Sequence, residues 1–206
     1  MRIATALVAL MLCGCAYQAA PPVTPASNVV VSFGTKIPGK WLVFAEGSRL
    51  SSVVRPADMS CSAHNFPLSF DSSFAGSVRA TLGNVFETVE YVSAPVSADE
   101  LRRRNARGIV VVRGEEVRGH LRAVPGFWSA NIVTEVRISA SVVVDGRSGR
   151  LFGQTVDGDG KGDADAGSFC SGGSVSLSQA SEEAMRITMR RIGEAIGNSE
   201  RVRAAR

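Results

Sequence analysis

The stretch from Ile109 to Val156 limits the fold of this 206-residue chain more than any other. From Trp128 onward, apolar residues recur at nearly every second position: Trp128, Ala130, Ile132, Val136, Ile138, Ala140, Val142 and Val144. Asn131, Glu135, Arg137, Ser139 and Ser141 take the alternate positions. Successive side chains of a strand point to opposite faces, so this period predicts a long strand with one wet face. Before it, Ile109-Val110-Val111-Val112 starts a strand that runs to about Arg122 and is punctuated by Pro125-Gly126. After it, Asp145-Gly146 with Gly149 reads as a hairpin turn, from which Leu151-Phe152 returns to Val156. An antiparallel meander over about 109–157 is therefore the expected centre of the sheet.

Helices are expected on either side of it. Phe70, Phe74, Val78, Leu82 and Val85 recur at helical spacing, with Ser69 or Asp71 as cap, which predicts a helix over about 70–86. Met185, Met189, Ile192 and Ile196 form one stripe of a helix over about 178–196, with Gly197 as its stop. Ser97 or Asp99 opens a short helix carrying Arg102, Arg103, Arg104 and Arg107, an arginine cluster read as a solvated face. Trp41-Leu42-Val43-Phe44 suits a buried strand that starts the folded body. The expected class is α+β: an antiparallel sheet with the two main helices packed on one face, in a single domain over 41–198. Residues 15–40, with Pro21-Pro22 and Pro25, read as an extended tether, and 199–206 as a disordered tail.

The N-terminus has Arg2, an apolar run from Ile3 to Leu12, and Gly14 just before Cys15. That is the layout of a secretory signal, and the run is too short for the roughly 20 residues of a membrane span. Leu12-Cys13-Gly14-Cys15 resembles the lipobox of bacterial lipoproteins. The resemblance implies cleavage between Gly14 and Cys15, lipidation of the Cys15 thiol and usually acylation of its new N-terminus. Residues 1–14 are then a signal peptide, and loss of Arg2 takes the formal charge from +4 to +3. Ala16, not aspartate, follows Cys15; by the same resemblance this favours the outer membrane, facing the periplasm. Of the remaining cysteines, Cys13 leaves with the signal. Cys61 and Cys170 stay behind in an oxidising compartment, which favours a disulfide over two unpaired thiols or a nucleophile.

Few residue groups carry chemistry. Asp157, Asp159, Asp163 and Asp165 alternate with glycine over 157–163, so they read as a mobile acidic loop that could wrap a hard cation such as Ca²⁺. The EF-hand template fits poorly, since Lys161 and Ser168 fall where an oxygen ligand and glutamate belong. No cofactor other than the lipid on Cys15 is expected. His64 lies three residues from Cys61, but a disulfide would consume that thiol. His120 falls in a strand. Glu115-Glu116 occupy successive strand positions and are expected on opposite faces; Glu182-Glu183 are placed in the first turns of the last helix, where they complement its dipole. No segment interleaves dense basic charge with aromatics, so nucleic acid is not an expected partner.

The order of elements behind a lipidated N-terminus resembles small outer-membrane lipoproteins of the YajG and LptE kind, which are α/β sandwiches that act by binding. The resemblance implies a non-enzymatic accessory of the cell envelope, anchored in the membrane by Cys15 and docking to an envelope protein. Two alternatives stay open: a lipid- or polysaccharide-binding module using the arginines, and a metal-dependent hydrolase using the aspartate loop.

Overall fold

The computed structural model describes Thr24 and residues 29–56, 61–126 and 129–205. Its elements are β1 (Ile37–Glu46), β2 (Ser51–Val54), β3 (Phe66–Ser69), α1 (Asp71–Val85), β4 (Phe86–Tyr91), α2 (Ala98–Arg103), β5 (Gly108–Pro125), β6 (Ala130–Gly146), β7 (Gly149–Asp165), a 3-10 turn (Ser168–Cys170), α3 (Gly172–Gly197) and α4 (Glu200–Ala204). Five strands form one sheet in the order β4-β1-β5-β6-β7, and β2 and β3 form a separate hairpin. The class is α+β, but the sheet is mixed. β1 runs parallel to both β4 and β5, and only β5-β6-β7 is the antiparallel meander read from the sequence.

The apolar run of β1 is explained by burial on both faces. Trp41 and Val43 enter the main core, while Leu42 joins Ile109, Val111, Leu101 and Ala106 in a small cluster under α2 on the opposite face. α1 and α3 cover the inner face with the residues their periodicity selected, including Phe74, Val78, Leu82, Met185, Met189 and Ile192, all buried. α2 begins at Ser97, whose side chain accepts from the Glu100 amide at 3.3 Å. The disulfide joins Cys61 to Cys170 across 109 residues, with Cα atoms 5.9 Å apart. It ties the turn before β3 to the turn before α3.

Several boundaries differ from expectation. The acidic loop is strand: β7 continues through Asp165 and pairs with β6 along its whole length. Here glycine is a packing residue. A Cβ on Gly158, Gly160 or Gly162 would lie 2.4 Å from Ala184 O, 2.0 Å from Ala180 O and 2.1 Å from Ser176 O respectively, so bare strand backbone lets α3 approach. The helix meets it with Ser176, Ala180, Ala184 and Thr188, small residues at every fourth position and all buried. α3 begins at Gly172, so Glu182 and Glu183 are mid-helix and do not serve its N-terminal dipole.

Described residues on both sides of the expected 41–198 domain pack against it. The body begins with β1 at Ile37, and Val202 of α4 is buried, so part of the expected tail is helix. Upstream, Thr24 donates its amide to Ser77 Oγ at 2.9 Å, and Asn198 holds the amide of Ser32 at 2.8 Å and the carbonyl of Val30 at 3.2 Å. A Cβ on Gly193 would meet Val29 at 2.8 Å and one on Gly197 would meet Val31 at 2.3 Å. Gly197 therefore makes room for this strap. It is the last residue of α3, not a left-handed stop beyond it.

Candidate functional site

α2 covers only one end of the sheet's outer face. Beyond it, the described residues leave the outer surface of β5, β6 and β7 uncovered, and register sets which side chains it presents. Arg118, Arg137 and Asp159 form one row, His120, Glu135 and Lys161 the next, then Arg122, Val133 and Asp163. In these rows β5 contributes Arg118, His120 and Arg122, and β7 contributes Asp159, Lys161 and Asp163. Between the first two rows runs an open groove of about 640 Å³. Its floor is backbone, because Gly119, Val136 and Gly160 are consecutive in register and face inward, toward Val54 and α3.

Most charges on this face are matched. Arg137 donates to Asp157 at 2.8 Å and reaches Asp159 at 3.7 Å, Arg118 pairs with Glu116 at 2.7 Å, and Lys161 with Glu135 at 3.3 Å. Hydrogen bonds from Arg137 and then Ser139 hold the Asp157 carboxyl below the usual carboxylate range. Exposed pairs of this kind each contribute roughly 0–1 kcal/mol. Among the described residues, Arg122 and Asp163 form no ion pair, which leaves opposite free charges at the two margins of one row.

A β-bulge between Gly114 and Glu116 changes one expectation. Glu115 accepts from Ser141 Oγ at 2.5 Å, and Glu116 borders a hollow with Ser139, two residues along the same face of β6. Both glutamates therefore face outward, since the extra residue cancels the alternation. Each is held by its own partners, Glu115 by Ser141 and Arg49, Glu116 by Arg118.

The four aspartates singled out for a cation sit at alternate positions of an extended strand. Asp157 and Asp165 are thus about 27 Å apart, and Asp165 accepts from the Gly167 amide at 2.8 Å. Such a row cannot converge on one ion. Among the described residues no group of three or more His, Cys, Asp or Glu side chains is arranged to hold a metal.

Side chains of α3 close the free edge of β7; the helical stripe selects buried residues and so passes over Gln179 and Arg191. Glu183 accepts from the Lys161 amide at 3.0 Å, Gln179 from the Asp163 amide at 3.3 Å, and Arg191 donates to the Asp157 carbonyl. This blocks strand addition over that stretch. The arginine cluster is likewise engaged. Arg102 pairs with Asp99, Arg103 with Glu100, Arg104 with Glu100 and Glu90, and Arg107 donates to Ala205 O. Those partners keep Glu100 and Glu90 ionised below the usual glutamate range, with the Arg104 bond foremost for Glu100 and the Lys40 bond for Glu90.

Of the remaining expected sites, the Cys61 thiol is consumed in the disulfide, His64 lies with its ring 6.5 Å from that of Phe66, and His120 lines the groove. Gly14, Cys15 and Trp128 lie outside the described residues. No described helix is long and apolar enough to cross a membrane.

No protein-family model matches the chain. No curated protein matches it. Among solved structures it is similar to protein XCC0632 from Xanthomonas campestris, assigned to family DUF330, at 12% identity over 87% of this chain and 93% of that one, with a TM-score of 0.42. It is also similar to the hypothetical protein CT253 from Chlamydia trachomatis, at 11% identity over 77% and 97%, with a TM-score of 0.40. Neither likeness carries a functional assignment.

Proposed function

We propose that the chain is a non-enzymatic lipoprotein of the bacterial envelope, anchored through Cys15 to the outer membrane, facing the periplasm and docking to an envelope protein with the outer face of β5-β6-β7. The observation that supports the docking reading is the charged outer face of β5-β6-β7, which the described residues leave uncovered. Its edge is capped, its neighbouring arginines are engaged, and Arg122 and Asp163 leave unmatched charge at its margins. The anchor reading rests on the Leu-x-Gly-Cys spacing and the short apolar run before it.

The exposed part of the face, from about Arg113 to Val124, measures roughly 35 Å by 10–15 Å. That is about 500 Å² against the roughly 800 Å² per partner of a standard stable interface. An interface of this size is weak in free solution and gains from confinement to a membrane surface, which raises effective concentration.

Two measurements test the reading. Cys15→Ser is expected to move the protein from the membrane to the soluble fraction; retention after a high-salt wash refutes the lipid anchor. A photo-crosslinker at position 120, beside Arg122 on the same face, is expected to capture a specific protein in intact cells, and one at position 186 on the helix layer is not. Equal capture at both positions refutes the assigned docking face.

A further inference from the structure

Resting on the anchored reading above, we infer that Thr24 and residues 29–36 orient the body at the membrane. They hold the α1–α3 helix layer toward the bilayer and turn the β5-β6-β7 face toward a partner outside it. The strap lies on the helix side of the molecule. Thr24 is buried against Ser77 of α1, Val29 and Val31 fill the spaces over Gly193 and Gly197 of α3, and Glu194 and Asn198 hold the backbone of Val30 and Ser32. Farther along, Lys36 Nζ donates to Gly83 O at 2.7 Å, and Arg203 donates to Thr35 O at 3.0 Å while stacking 4.2 Å from the Phe33 ring centre.

Chain length then decides the orientation. Nine residues separate Cys15 from Thr24, and a chain of that length spans at most about 32 Å. A body of this size has a radius of about 20 Å, so a chain leaving the helix side must cover about 63 Å of half-girth before the opposite face can meet the bilayer. The strapped tether is too short by half. A tether free up to Ile37 would span up to about 75 Å and would permit either orientation. Docking of the strap is therefore the difference between a body that tumbles on its leash and one with a fixed outward face.

The test uses the full-length lipidated protein in vesicles of phosphatidylethanolamine and phosphatidylglycerol carrying an energy-transfer acceptor on the headgroups. With Cys15 acylated and Cys61–Cys170 bridged, one introduced cysteine is the only free thiol to carry the donor dye. Arg190→Cys places it beside the strap and Arg122→Cys on the outer face; both positions are exposed. Transfer is expected to be severalfold higher from position 190 than from 122. Inserting about twelve Gly/Ser residues after Ala20, for a contour of about 70 Å, should equalise the two without touching the fold. Equal transfer in the unmodified protein, higher transfer from 122, or a contrast that survives the insertion each overturns the inference. Absence of transfer from both positions shows that the protein does not sit on the bilayer, and so overturns the anchor reading as well.

Discussion

The contact between β7 and α3 makes Gly160→Ala the most informative single perturbation. A Cβ at this position would sit 2.0 Å from Ala180 O and 2.4 Å from Ala184 N. Ordinary contact needs about 1.5 Å more, and both obstructing atoms are helix backbone, which no rotamer change can clear. The helix must lift or the strand must bow. Gly158 and Gly162 make the same approach on either side, so the lift propagates along the interface and loosens buried Leu177, Met185 and Met189. Overpacking usually costs about 1–3 kcal/mol, and obstruction by backbone puts this case at about 3. For a domain of this size that corresponds to a fall of about 6–12 °C in Tm. Gly153→Ala is the matched control: it lies in the same strand, and its nearest neighbour would be Arg150 Cδ at 3.8 Å. Thermal and urea unfolding of both variants, with the disulfide intact, gives the comparison. Equal midpoints for Gly160→Ala and Gly153→Ala would refute the claim that these glycines exist to admit the helix.

Replacing Cys61 and Cys170 with serine releases a 109-residue closure and is expected to cost about 4–5 kcal/mol in the chain-entropy model, read as a lowered urea midpoint that matches the reduced wild type. Acid should also destabilise the fold. Glu90, Glu100 and Asp157 have depressed carboxyl pKa values, so the stability they lend is complete above the ordinary values of about 4 and is lost as pH falls through the depressed ones. Tm should therefore be level from neutral pH to about 5 and drop below 4; a Tm that rises on acidification would contradict those ion pairs. Gly83→Ala, in α1 with nothing within 4 Å of the new Cβ, should stabilise by about 0.5–1 kcal/mol, and a lower midpoint would show that the helix is misplaced there.

The parts of this fold legible in the sequence are those written as local periodicity. The Ile132–Val144 alternation and the Phe74–Val78–Leu82 and Met185–Met189–Ile192 stripes name their structures and their buried faces directly. The parallel pairing of β1 with β4 and β5 is not written that way, because it depends on a crossover through the β2–β3 hairpin and α1. Only the second half of β7, beyond Asp157, reads as loop in the sequence, and for a definite reason. Glycine at every second position signals loop in a single segment, and it signals strand only when small residues four apart, such as Ser176, Ala180, Ala184 and Thr188, face it from elsewhere. Carboxylates read as a wrapping loop thereby became an extended row. The bulge at Glu115 is likewise silent in the sequence, and it reverses the alternation that had placed the two glutamates on opposite faces.

The candidate face follows from the same economy. A sheet whose inner surface is committed to tight helix packing and whose β7 edge is closed by Gln179, Glu183 and Arg191 can meet a partner along that side only through its outer surface. There the matched rows centred on Arg137 contribute little attraction of their own, so selectivity falls to the unmatched Arg122 and Asp163, about 10 Å apart across the row. A partner presenting an acidic group over β5 and a basic one over β7 would satisfy both, and the reversed order would be repelled at both. Confinement then supplies what the small area lacks. A millimolar dissociation constant is worth only about 4 kcal/mol, yet it suffices for half occupancy when tethering holds the partner at an effective concentration on the order of millimolar. Charge reversal at Arg122 alone should therefore abolish capture at the sheet face, while the membrane fraction, Tm and disulfide stay unchanged. A partner retained at full yield by Arg122→Glu would show that the face is a solvated surface and nothing more.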